Sequence, residues 1–261
     1  MIKVTNIETF NFKAAVRGMR NPMNSWAKSD SCTWETESAS AFVFGDSDLD
    51  LAKRLCKAGA EHRKFVRQIF VSMSILAPLY WFKEFDTYKV GTVANSCSTM
   101  HKIHAKEFVL EDFSCERLTK KAKHQLELIL TELNDNRNCY LKTQNKEYWE
   151  NLIQLLPSSY NQLRTVTFSY ENALNMIKQR RGHKLQEWRE FVDILLQLPY
   201  MQELWEAASD KEIKADALLE KALALHPYRQ EGNYKTYDDY NKGWQEGIRC
   251  FYRLLLEDMG R

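Results

Sequence analysis

The chain has no surplus of charge: 37 basic residues against 35 acidic ones leave a formal net charge of +2. No global pull toward polymeric nucleic acid or a membrane surface follows, so any basic site must be local. No apolar run approaches the roughly 20 residues that span a bilayer. The start, MIKVTNIETFNF, has no long apolar run after a basic stretch, as an export signal would. Cys32, Cys56, Cys97, Cys115, Cys139 and Cys250 form no C-x-x-C pair, and a chain of this size needs no stapling. The expectation is a soluble protein of the reducing cytoplasm. G-x-S-x-G, Walker and G-x-G-x-x-G motifs are also missing, which removes the standard serine hydrolase, P-loop and Rossmann readings. His101 and His104 lie three apart, but no carboxylate or thiol stands at zinc spacing, so no metal site is expected. No repeat or linker forces a boundary, and residues 1–261 are read as one domain.

With 44% hydrophobic residues the chain has material for a large core. Residues 1–12 alternate imperfectly between apolar and polar and predict a strand. Residues 17–31, punctuated by Gly18 and Pro22, predict an irregular loop. Residues 33–44 return to strand-like composition. Ser47 and Asp50 make a capping box for a helix that Gly59 stops. From Phe65, Val66, Ile69, Val71, Met73 and Ile75 predict a long strand with Ser72 and Ser74 on its other face, ended by Pro78. Residues 79–85 predict a helix with a large aromatic face. Asp112 or Ser114 would cap the next helix, which runs to the NDNRN turn. Helices are then predicted over 148–156, 162–180, 185–198, 201–225 and 237–259. Mixed strands and helices followed by a helical half point to an α+β fold.

Polar chemistry concentrates in DTYKVGTVANSCSTMHK, residues 86–102, inside an otherwise apolar and aromatic region. Ser96, Ser98 and Thr99 offer hydroxyls, Lys89, His101 and Lys102 offer positive charge, and Gly91 marks a turn that exposes backbone N–H groups. Such a set suits an anionic ligand, because buried polar groups need partners. A solvated basic face has the same composition. Cys97 is a candidate nucleophile beside His101 and basic Lys89 and Lys102, although most free cysteines are inert. A second cluster holds Arg164, then Arg180, Arg181, His183 and Lys184 around Gly182 at a helix end. Arginine suits bidentate capture of phosphate, and cations also complement a helix C-terminus.

Together the two clusters resemble the flavin-dependent thymidylate synthases. In that family a histidine precedes a strand, then Ala-Pro, an aromatic helix and the signature R-H-R-x-x-S-x-N-E-x-S-x-R. Leu-Pro, an arginine, and an Asn-rich helix ending in a further arginine come later. Here His62, Ala77-Pro78, Leu156-Pro157, Arg164, Asn172, Arg180 and HKLQEW keep that order, over roughly residues 45–195. The signature departs: without gaps Thr87-Tyr88-Lys89 stand for Arg-His-Arg, Asn95 for Glu and Cys97 for the second Ser. A one-residue slip recovers Asn95 and Ser98 but sets Ser96 at Glu and Met100 at Arg, and both registers stay open.

The resemblance implies an enzyme that uses FAD, methylenetetrahydrofolate and NADPH to place a one-carbon unit on C5 of dUMP. It assigns nucleotide binding to Ser96, Cys97, Ser98, His101, Lys102, Arg164 and Arg180, with Ser98 and Arg180 also catalytic. FAD would be held by His62, Arg67, Tyr88, Lys89, Asn95, Asn172 and His183, with Tyr80, Trp81 and Tyr88 as walls for a flat ring. It further implies a homotetramer with sites between subunits. A 5-hydroxymethylating relative, or a nucleotide-binding homologue without flavin, is the alternative.

Overall fold

The computed structural model describes residues 2–35 and 40–209. Its main sheet has four antiparallel strands in the order β1 (Lys3–Phe10), β4 (Phe70–Pro78), β6 (Asn161–Ser169), β5 (Val93–Ser96). A separate hairpin joins β2 (Cys32–Glu35) to β3 (Ser40–Val43). The helices are α1 (Phe12–Arg20), α2 (Asp46–Ala58), α3 (Leu79–Phe85), α4 (Lys120–Thr143), α5 (Lys146–Leu155), α6 (Tyr170–Arg180) and α7 (Gln186–Leu196). Residues 201–209 are also helical. The rest of the predicted helix 201–225, and all of 237–259, fall outside the described residues.

The period of two in β4 sets the layers. Val71, Met73, Ile75 and Ala77 are buried, while Ser72 and Ser74 face the other way. Register carries the pattern into β6, where Phe168 lies opposite Val71 and Val166 opposite Met73. On the outer face Thr167 donates to Ser72 Oγ at 3.1 Å, and the Ser74 and Thr165 hydroxyls are 3.4 Å apart. Against the apolar face lie α3 and α7. The Trp81 and Trp188 rings pack there at 4.7 Å between centroids, with Phe85 and Phe191 around them. A smaller core gathers Ile103, Phe108, Phe113, Leu126, Leu130, Leu133 and Leu152 where α4 and α5 meet the segment before them.

Several sequence expectations are corrected. Residues 162–169 form β6 and not a helix, because Val166 and Phe168 alternate into the core beside β4. The loop predicted from residue 17 begins only after Arg20: α1 follows a left-handed Asn11 (φ 72°) and buries Phe12, Ala15, Val16 and Met19. The long strand starts at Phe70, after a 3-10 turn over Lys64–Arg67. The Ser47/Asp50 capping box does not form; the Asp30 carboxylate reaches across from the preceding loop and accepts from Ser47 N (2.8 Å) and Asp48 N (3.0 Å). Thr119, and neither Asp112 nor Ser114, caps α4, accepting from Ala122 N. That helix continues through NDNRN, where Asn136 donates to Glu132 O at 2.8 Å and accepts from Asn151 of α5 at 2.8 Å.

Candidate functional site

Pro78 ends β4 and starts α3, whose Trp81, Phe82 and Phe85 are buried. Glu84 and Asp86 are left pointing outward from that aromatic anchor. The chain then passes α6 from its last turn to its first. Tyr88 OH donates to Gln179 Oε1 at 2.9 Å, and Asn172 Nδ2 donates to Val90 O at 2.7 Å and Thr92 Oγ1 at 2.9 Å. Gly91, at φ +71°, turns the chain into β5. Ser96 there lies opposite Arg164, and the pairing continues one residue on, with Cys97 N donating to Leu163 O at 2.9 Å.

Both arginines of the second cluster turn toward α3. Arg180 donates through Nη1 to Glu84 Oε2 at 2.7 Å and through Nε to Tyr88 OH at 3.0 Å, with its guanidinium 4.8 Å from the Trp188 ring. Trp188 Nε1 donates to the same Glu84 oxygen at 3.1 Å, and His183 Nε2 lies 3.2 Å from it. Arg164 bonds Asp86 Oδ1 at 2.8 Å and Gln162 Oε1 at 2.9 Å, and stacks 4.0 Å over Phe82. Gln162 in turn donates to Cys97 O at 2.7 Å, so Arg164 is coupled to the backbone of the signature stretch.

Just past that point a cavity of about 360 Å³ opens, lined by Cys97, Ser98, Lys102, Ile103, Lys106, Phe108 and Tyr160. Ser98 Oγ accepts from Met100 N (3.2 Å) and His101 N (2.9 Å), which shapes the turn that brings Lys102 to the rim. Its hydroxyl proton is left to donate. Lys106 is ion-paired with Asp112. Burial, reinforced by Asp112 and Cys97, pushes the Tyr160 phenol above its ordinary pKa and keeps it a neutral donor. The cavity therefore combines cations, hydroxyls, a thiol and aromatic walls, a set that suits an anion attached to a flat ring.

The structure thus brings Cys97, Ser98 and Lys102 together, with Ser96 and Arg164 on the adjoining strands. His101 is exposed on the same turn. Arg180, Tyr88 and His183 form the separate Glu84 cluster. His62 and Arg67 are exposed on the segment between α2 and β4, where Arg67 donates to Ala60 O at 3.0 Å. Arg63 beside them forms a bidentate pair with Glu171, at 3.0 and 2.7 Å, which holds that segment to the first turn of α6 next to Asn172. Lys89 and Asn95 are exposed. Trp81 is fully buried, so it does not wall a ligand as expected from sequence; Tyr80, half-buried, donates to Glu187 at 2.6 Å. Sequence reasoning missed Lys106, Phe108, Tyr160, Glu84, Asp86 and Gln162. Lys106, four residues beyond Lys102 in the same basic stretch, was the available signal; nothing local marks the two carboxylates as arginine partners.

The fold is that of the flavin-dependent thymidylate synthases, an α+β arrangement with the antiparallel sheet at its centre. A crystal structure of thymidylate synthase X (ThyX) from Helicobacter pylori with FAD and dUMP is similar at a TM-score of 0.58 and 14% identity, covering 80% of this chain and 99% of that one. A second structure of the same enzyme complexed with FAD and dUMP is similar at 0.56 and 13% identity, covering 78% and 97%. Neither protein-family models nor curated protein sequences show a match to this chain.

Proposed function

We propose that the chain is a nucleotide-modifying enzyme that binds dUMP in the cavity beside Ser98 and works with FAD on C5 of its pyrimidine. The observation that carries this reading is the cavity itself. Lys102, Ser98 and Tyr160 line it just beyond β5, in a fold of which two solved examples are complexed with FAD and dUMP. In this reading Lys102 and Ser98 hold the phosphate, while Phe108 and Tyr160 flank the ring.

The exposed donors fit FAD in kind. Arg67, His62 and Lys89 offer charge for a pyrophosphate and Asn95 an amide for a ring edge. All four of these side chains are exposed. FAD would therefore lie along exposed surface near β5 and the first turn of α6, completed by a second subunit of a homotetramer. When bound, FAD supplies hydride transfer, with methylenetetrahydrofolate as carbon donor and NADPH as reductant. The chain's own residues bind and orient, and their ordered hydrogen bonds hold the nucleotide without reorganisation.

A second reading is favoured by the arginines. Arg164 and Arg180 are already paired with Asp86 and Glu84, and Thr87 and Lys89 stand where the resemblance expects arginine. A homologue that binds nucleotide but has lost flavin fits that arrangement. Incubating the protein with dUMP, methylenetetrahydrofolate, FAD and NADPH and weighing the product nucleotide separates the readings. A gain of one methyl supports thymidylate formation and a gain of hydroxymethyl the related activity. A colourless protein that cannot be loaded with FAD and returns dUMP unchanged defeats the enzyme reading.

A further inference from the structure

A second cavity, of about 200 Å³, lies in the N-terminal part of the chain, where the preceding reading places nothing. It is lined by Lys13, Val16, Arg17, Arg20, Trp26, Ser29, Ser31 and Phe42. Its floor is a closed polar knot. Asp48, fully buried, accepts from Arg20 Nε, from Ser29 Oγ at 2.7 Å and from Ser31 Oγ at 2.6 Å. Arg20 also donates to Ser47 Oγ at 2.9 Å. Burial alone would raise the Asp48 pKa, but the Ser31 and Ser29 hydroxyls and the Arg20 guanidinium outweigh it and hold the carboxyl below its ordinary value. Arg20 and Asp48 thus cancel within the floor.

The rim is cationic. Lys13 and Arg17 stand four residues apart on α1, so their side chains leave the same face of the helix. Both are exposed, and neither has an ion-pair partner among the described residues. Across from them Trp26 is 51% exposed, an unusual position for the largest aromatic side chain. Its Nε1 donates to Asn21 Oδ1 at 2.8 Å. Phe42, half-buried, stacks on Phe12 at 5.4 Å and carries the apolar wall into the core. An exposed indole beside two cations that have no ion-pair partner among the described residues is the pattern that binds a planar ring carrying an anion. The ring is held by stacking and the anion by charge-assisted hydrogen bonds.

We propose that this cavity is a second ligand site, distinct from the one beside Ser98, that takes a nucleoside monophosphate with its base on Trp26 and its phosphate on Lys13 and Arg17. The cleft, of about 200 Å³, has room for one base with its anionic group. Arginine at position 17 gives the phosphate a planar fork and Lys13 a point charge.

The test is calorimetric titration of the full-length protein with AMP, alongside inorganic phosphate. Wild type should bind AMP more tightly than phosphate. Lys13→Ala/Arg17→Ala should weaken AMP at least tenfold. Trp26→Ala should weaken AMP while leaving phosphate unchanged, and Trp26→Phe should restore most of the loss. Lys102→Ala, in the other cavity, should leave AMP binding at this site intact whether or not that cavity binds dUMP. The four altered side chains are exposed, and circular dichroism checks that the variants fold. No AMP binding at millimolar concentration overturns the proposal, as does an affinity that Lys13→Ala/Arg17→Ala leaves unchanged. Loss of AMP binding in Lys102→Ala alone overturns it too.

Discussion

Arg180 and Glu84 meet between α6 and α3 at 2.7 Å, and the same carboxylate oxygen also receives the Trp188 indole N–H at 3.1 Å. A ligand phosphate that uses Arg180 must replace or share that carboxylate. Glu84→Gln keeps an acceptor for both donors but removes the competing charge. If bound dUMP reaches from the Ser98 cavity to this separate cluster, as the resemblance implies for Arg180, Glu84→Gln should tighten dUMP severalfold, on the order of 1 kcal/mol, and Arg180→Ala should weaken it tenfold or more. Equilibrium titration of both variants checks this; unchanged dUMP affinity in Arg180→Ala would make the arginine purely structural.

At the Ser98 cavity, Lys102 contributes charge and little packing. Lys102→Ala should lower dUMP affinity by about tenfold, with a thermal midpoint within about 1 °C of wild type, since an exposed side chain rarely carries stability. Raising the salt concentration should narrow the gap between variant and wild type. A variant that binds dUMP like wild type at low salt would remove Lys102 from the site.

Arg164 joins Asp86, Gln162 and Phe82, and only Asp86 of these is strongly exposed. A double-mutant cycle with Arg164→Met and Asp86→Asn should return a coupling of roughly 1 kcal/mol or less, the range of partly exposed pairs. Arg164→Met alone should cost more, because Gln162 Oε1 loses its donor and its link to Cys97 loosens. Denaturant unfolding measures both.

The buried Asp48 sets an acid limit. Its folded pKa is depressed, so its contribution is fully present above the ordinary aspartate value of about 4 and is lost as pH falls through the lower folded value. Asp48→Asn leaves Arg20 buried without a counter-charge and should cost about 3–5 kcal/mol near pH 7. The difference between wild type and variant should shrink below about pH 4. Urea midpoints across pH 3–7 report it, and a constant difference would show that Asp48 is not the group titrating.

Much of the frame was legible in order. The alternation of Val71, Met73 and Ile75 with Ser72 and Ser74 determined a strand with one apolar face, and Pro78 marked its end. The aromatic run Tyr80–Phe85 determined a buried helix. Gly59, at φ +116°, stops α2 as expected, since that conformation favours glycine. The residues of β6 were misread because Asn161–Ser169 runs straight into α6 with no Gly or Pro between them, and the one boundary signal, the N-cap Ser169, went unread. A strand and a helix sharing one apolar stretch then look like a single helix.

The sequence by itself determined the α+β class, the concentration of cationic and hydroxyl groups over residues 86–102, and the candidate arginines, because periodicity and residue chemistry are local properties. Tertiary structure alone decided which groups are free to act. Arg164 and Arg180 are 78 and 96 residues from the carboxylates that hold them. Nothing local foretells such pairs, since they arise only when β6 and α6 fold against α3. The same holds for the cavity at Ser98, whose Tyr160 comes from the far side of two helices, and for the second cavity, where Phe42 and Trp26 meet α1. Charge is written in the chain, but its neutralisation depends on which distant side chain arrives within hydrogen-bond reach.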